Sequence, residues 1–121
     1  MKLKKVVEFE IDDKIAESII KLNNKGYETA MCCSGHPDEE EIIPYVMFNR
    51  FVSYGIEYIP HTWVIDKKFK ELVIRRYFTN EEKEIFTKEQ LVDIAARELD
   101  SWADTLPDFE NPYQNMKMEV I

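Results

Sequence analysis

Asn23-Asn24-Lys25-Gly26-Tyr27-Glu28-Thr29-Ala30-Met31-Cys32-Cys33-Ser34-Gly35-His36 carries three structural signals in a row. Asn23-Asn24-Lys25 interrupts an apolar helical stripe, and Gly26 suits the left-handed position that closes a helix. Tyr27 to Cys33 is apolar enough to read as a strand. Ser34-Gly35-His36-Pro37 then ends that strand in a tight turn. In period two, Tyr27, Thr29, Met31 and Cys33 share one face, and Glu28, Ala30, Cys32 and Ser34 share the other. One cysteine is therefore expected toward the helices and its neighbour toward the open side of the sheet.

Before this stretch, Ile15, Ile19 and Leu22, widened by Ala16 and Ile20, recur at helical spacing behind the acceptors Asp12 and Asp13. Val7, Phe9 and Ile11 alternate with Glu8 and Glu10, as in a half-buried strand. The resulting strand–helix–strand unit allows parallel strands joined by a right-handed crossover. After the stretch, Ile42–Phe48 predicts a strand and residues 49–62 read as irregular. Trp63–Asp66 and Leu72–Phe78 flank a lysine-rich turn as a hairpin. Thr87 and Gln90 spell a capping box before the stripe Leu91, Ala95, Leu99, Trp102 and Leu106, which Pro107 stops. Met116, Met118 and Val120 fit a short terminal strand. The order β-α-β-β-β-β-α predicts an α+β fold, a two-layer sandwich of a mainly antiparallel sheet with two helices on one face. Its 121 residues contain no repeat and no linker, so 1–121 reads as a single domain.

The composition, 45% hydrophobic and 33% charged, excludes a disordered chain. Sixteen Lys and Arg against 24 Asp and Glu give a formal charge of −8, which disfavours general nucleic-acid binding. The charge is uneven. Residues 79–111 set ten acids against Lys83, Lys88 and Arg97, whereas Lys67, Lys68, Lys70, Arg75 and Arg76 crowd the hairpin. The acidic helix, with Glu98, Asp100 and Asp104, offers a surface for a basic protein partner or for imitating nucleic acid. Cys32 and Cys33 are adjacent and point apart, so they form no ordinary disulfide, which suits a reducing cytosol. No apolar run is long enough for a signal peptide or a membrane span, so a cytoplasmic location is expected.

The turn after the second expected strand sets a thiol, a hydroxyl, a flexible backbone and an imidazole at the end of a rigid sheet. Three chemistries suit it. Recognition of a small anionic ligand would use Cys33, Ser34, the Gly35 amide and His36 as the site, with His61 and Arg75, or Arg50, in support. Arg75 and Arg76 are consecutive on a strand, so only one of them can face such a site. The acidic run Asp38-Glu39-Glu40-Glu41 would repel an anion unless it points away. Zinc is the second chemistry, from the C-x-x-H spacing of Cys33 and His36 with His61. Four closing ligands are hard to assemble from two cysteines facing apart and two histidines, so no metal set is assigned, although a three-ligand site with an Asp or Glu is open. The third is nucleophilic catalysis, with Cys33 or Ser34 activated by His36 or His61. The balance leans against an enzyme, and no cofactor is named. Trp63, Tyr77, Phe78 and Trp102 are expected in the core. Phe51, Tyr54 and Tyr58, in the irregular segment, are expected to wall a pocket or an interface.

Several segments together resemble a pattern in small proteins of Firmicutes and their phages. They are Lys25 to His36, Tyr45-Val46-Met47-Phe48, Pro60 with Trp63 and Asp66, Ile74-Arg75-Arg76, and Trp102-Ala103-Asp104 with Leu106-Pro107. That resemblance implies a bacterial or phage accessory protein and no particular substrate. Cys33-Ser34-Gly35 alone is similar to the turn of the wybutosine-synthesis methyltransferase family, with Cys32 and His36 where that family has Ser and Arg. This implies an enzyme acting on tRNA, which the acidic composition opposes.

Overall fold

The computed structural model describes residues 15–50 and 52–109. Helix α1 (Ala16–Asn24) turns Ile19 and Leu22 into the core beside Ile15. It closes as the sequence expects, with Gly26 at φ +102° and its N–H donated to the Asn23 carbonyl. The conformation alone favours glycine here, and so does the space: a Cβ would run into the carbonyl oxygen of Phe109. The crowding arises because the chain leaving the last helix returns to α1. Phe109 donates its N–H to the Lys25 carbonyl at 2.6 Å and stacks its ring on Tyr27, centroids 5.3 Å apart. The Tyr27 hydroxyl donates to the Pro107 carbonyl, and Lys25 Nζ donates to the carbonyls of Ala103 and Leu106, each at 2.7 Å. A lysine thus satisfies orphan carbonyls at the end of that helix, where its charge also suits the macrodipole.

Four strands follow: β1 (Thr29–Cys33), β2 (Tyr45–Phe48), β3 (Val64–Ile65) and β4 (Val73–Arg75). Their order across the sheet is β1-β2-β4-β3, and every neighbouring pair is antiparallel. Val46, Phe48 and Ile74 form the inner face. They pack with the stripe of α3 (Lys88–Thr105), namely Leu91, Ala95, Leu99 and Trp102, and with Ile19 and Leu22 of α1. The Trp102 ring meets Phe48 edge-on at 6.2 Å. The arrangement is α+β, as the sequence predicts. The expected strand at Val7–Ile11, its parallel crossover and the strand at Met116–Val120 lie outside the described residues. Among the described residues no helix is long and apolar enough to cross a membrane.

Three expectations need correction. Strict alternation fails in β1, where Thr29 pairs with Phe48 and Met31 with Met47, leaving Ala30 as an inserted residue. This bulge reverses the pleat. Thr29 is therefore on the helix side, where its hydroxyl accepts from Asn23 Nδ2, and Tyr27 is in the core, away from Met31 and Cys33. Tyr77 is exposed rather than in the core. An additional helix, α2 (Asn80–Ile85), precedes α3; it buries none of its residues and opens with a capping box between Thr79 and Glu82.

What holds α2 is Arg76. Only 4% exposed, it leaves β4 toward the helix side and commits all five of its donors. Nε and NH2 bond Glu98 of α3, NH1 and NH2 bond Glu82 of α2, and NH1 also bonds the Tyr77 carbonyl, all between 2.8 and 3.1 Å. The guanidinium lies over the Phe78 ring at 4.4 Å. Arg76, followed by the Thr79 amide, holds the Glu82 carboxyl down to about 2 from its ordinary 4.5. A carboxyl depressed on folding stabilises the fold above its unfolded value and loses that contribution as pH falls through the folded one. Denaturant stability should therefore fall between pH 4.5 and about 2, and Glu82→Gln should flatten that slope. Arg76→Gln should cost about 3 kcal/mol at neutral pH, at the low end for a broken buried pair, since Glu82 and Glu98 side chains keep 26% and 24% of their surface in water.

Candidate functional site

Strand β1 leaves the sheet at Cys33, which pairs with Tyr45 on the open face, while Cys32 packs against the core. The two thiols thus face apart, as the sequence expects. Ser34 is buried and donates its hydroxyl to the Gly35 carbonyl. Gly35 sits at φ +82°, and a Cβ there would lie 2.6 Å from Ile42 Cγ2. Its N–H donates to Cys33 Sγ at 3.4 Å. His36-Pro37-Asp38-Glu39 then closes as a four-residue turn, with the Glu39 N–H donated to the His36 carbonyl at 2.9 Å. Pro37 occupies the second position, where its fixed φ favours such a turn. The Glu39 carboxylate reaches back and accepts the His36 N–H at 3.1 Å.

Within the acidic run, Glu39 does not point away. Lys88 at the start of α3 donates its ammonium to the Glu39 carbonyl, and Lys83 of α2 pairs with Glu41 at 3.2 Å. Glu39 is the residue that sequence reasoning does not name: a third ligand from an Asp or Glu is left open there, but Glu39 itself figures as a repulsive charge. Its signal was the regular spacing Cys33-x-x-His36-x-x-Glu39, which the turn folds into a cluster. The Cys33 sulfur, a His36 ring nitrogen and a Glu39 carboxylate oxygen all lie within 4.8 Å of one another. Bond lengths of about 2.0–2.3 Å put the ligand atoms of a tetrahedral zinc roughly 3.3–3.8 Å apart. Closing the difference takes a shift of about 1 Å, within reach of side-chain rotations at His36 and Glu39, both exposed. Thiolate, imidazole and carboxylate are ligand types that zinc accepts.

The other expected site residues are placed differently. Cys33, Tyr45, Arg75 and Val64 form one row across the sheet. Two strand spacings, about 10 Å, therefore separate the Cys33 and Arg75 backbones. Tyr45 stands between them with Arg75 over its ring at 4.9 Å, and Arg75 Nε donates to Asp66 at 2.6 Å. Arg75, then the Lys68 amide, lowers the Asp66 pKa. Burial, then the neighbouring Cys33, raises that of Tyr45. Arg50 lies exposed beyond β2. His61 is in the turn before β3, against α3, and joins neither His36 nor Arg75.

The three acids read as a docking surface are engaged within the chain. Glu98 binds Arg76, while Asp100 and Asp104 bind Lys21 of α1 at 2.9 and 2.8 Å. Tyr58, in the irregular segment, does wall a cavity, together with His61, Arg97 and Trp102.

The strained backbone at the turn has a measurable consequence. Gly35→Ala should lower denaturant stability by about 1–3 kcal/mol, because a non-glycine residue at that φ is strained and Ile42 must move. No family model, curated protein or solved structure matches this chain.

Proposed function

We propose that the protein is a metal-binding module holding one divalent ion, zinc by preference, on Cys33, His36 and Glu39. The observation that carries this reading is the convergence of three different ligand atoms at one turn, within 4.8 Å of each other. Support comes from the Gly35 N–H aimed at the sulfur and from the turn hydrogen bonds that fix Glu39 opposite His36. Three protein ligands leave a fourth position for water or for an incoming donor, as in reactive rather than purely structural zinc sites. In this form the small anionic ligand expected at the turn binds through the ion. The His36 amide is taken by Glu39 and the Arg75 guanidinium by Asp66, so direct anion contacts are fewer than the sequence suggests. Two adjacent cysteines on opposite faces, which cannot pair with each other, suit a reducing compartment, which favours the cytoplasm.

Cobalt titration tests the proposal. One equivalent of Co²⁺ should produce sulfur-to-metal charge-transfer absorption that Cys33→Ser abolishes and Cys32→Ser leaves intact. His36→Ala and Glu39→Gln should each weaken binding about tenfold or more, since each removes a direct ligand. Zinc at 100 times its dissociation constant should add about 2.7 kcal/mol of stability. Absence of the band, or its survival in Cys33→Ser, overturns the assignment.

A further inference from the structure

A cavity of about 490 Å³ lies between the 58–62 segment and α3, remote in sequence from the metal ligands. Its size falls within the roughly 300–1,000 Å³ of small-molecule pockets. Ile59, Pro60 and Trp102 give it apolar walls. Half of its polar side chains are already engaged. The Tyr58 hydroxyl donates to Thr105 Oγ1, that hydroxyl donates to the Trp102 carbonyl, and the Trp102 indole N–H donates to the Tyr58 carbonyl, at 2.7, 2.7 and 2.8 Å. Glu98, the acid in the lining, has both carboxylate oxygens turned to Arg76 and the Trp63 indole.

The side chains of His61, Thr62, Arg97 and Ser101 remain, and none of them is hydrogen-bonded or ion-paired to another described residue. Arg97 and Ser101 are one turn apart on the same face of α3, about 6 Å along its axis, and His61 lines the other wall. The uncommitted groups are thus a guanidinium, two hydroxyls and an imidazole, all able to donate, beside apolar walls. A planar guanidinium matches a carboxylate in bidentate fashion.

We infer that this cavity binds a small organic carboxylate with a flat apolar body. The carboxylate sits on Arg97, with Ser101 and His61 as further donors, and the body lies against Ile59, Pro60 and Trp102. This site is separate from the metal reading and does not depend on it.

NMR titration of the full chain with benzoate and indole-3-acetate tests it, with benzamide as the uncharged counterpart of benzoate. The carboxylates should cause saturable shifts at His61, Ser101 and the Trp102 indole N–H. Benzamide should bind about tenfold more weakly or worse, as expected when a charge-assisted hydrogen bond is lost. Arg97→Gln, at an exposed position, should weaken benzoate by a similar factor while leaving the remaining spectrum unchanged. Cys33→Ser should bind benzoate as the parent does, which separates this result from any outcome at the turn. Equal binding of benzoate and benzamide, indifference to Arg97→Gln, or no shifts at these groups with millimolar carboxylate would each overturn the inference.

Discussion

A guanidinium withdrawn from water, with every N–H engaged, stands where the sheet meets both C-terminal helices. Arg76 is tolerable there only because Glu98 reaches it from α3 and Glu82 from α2. Burial alone opposes its charge, and the two carboxylates more than offset that opposition. Helix α2 buries no side chain of its own, and a helix of six residues is not stable in water by propensity. Its position therefore depends on this ion pair and on its capping box. Because α2 leads directly into α3, Arg76 also bears on the place where the α3 lysine meets the loop carrying Glu39.

The turn after β1 shows how a short local sequence can collect groups of different chemistry. The strand aims Cys33, a glycine in the left-handed region reverses the chain, and a proline-initiated turn brings a carboxylate back to the His36 amide. Each step is local and costs little chain entropy. The carboxylate run that repels a free anion is, by the same charge, an aid to a bound cation. The hydrogen bond to the His36 amide fixes which way Glu39 points, and that direction is why a cation is proposed here rather than a free anion.

Most of the fold was legible in the sequence. The apolar stripes of α1 and α3, the hairpin around the lysine-rich turn and the capping box at Thr87 all appear where their patterns place them. The bulge at Ala30 was not legible, because alanine, unlike glycine, carries no local mark of an inserted residue. Helix α2 had a mark, Thr79 with Glu82 three residues on, but no apolar stripe to draw attention to it. The candidate site was half legible. Cys33 to His36 was singled out, but His61 was grouped with it on residue type alone. Topology separates them: His61 precedes β3, the edge strand farthest from β1, about three strand spacings or 14 Å across the sheet. Arg75 was expected to be available, and the register instead puts Tyr45 between it and the thiol.

The two lysines that hold the acidic loop give the molecule a mechanical property. Lys83 and Lys88 belong to the elbow between α2 and α3, yet they grip Glu41 and the Glu39 backbone across more than forty residues of chain. Exposed contacts of this kind contribute roughly 1 kcal/mol or less each, so the tether is soft. Linkage is reciprocal even so: anything that immobilises Glu39 stiffens the elbow, and anything that swings the elbow loosens Glu39. The loop and the helical corner are therefore coupled through these two lysines.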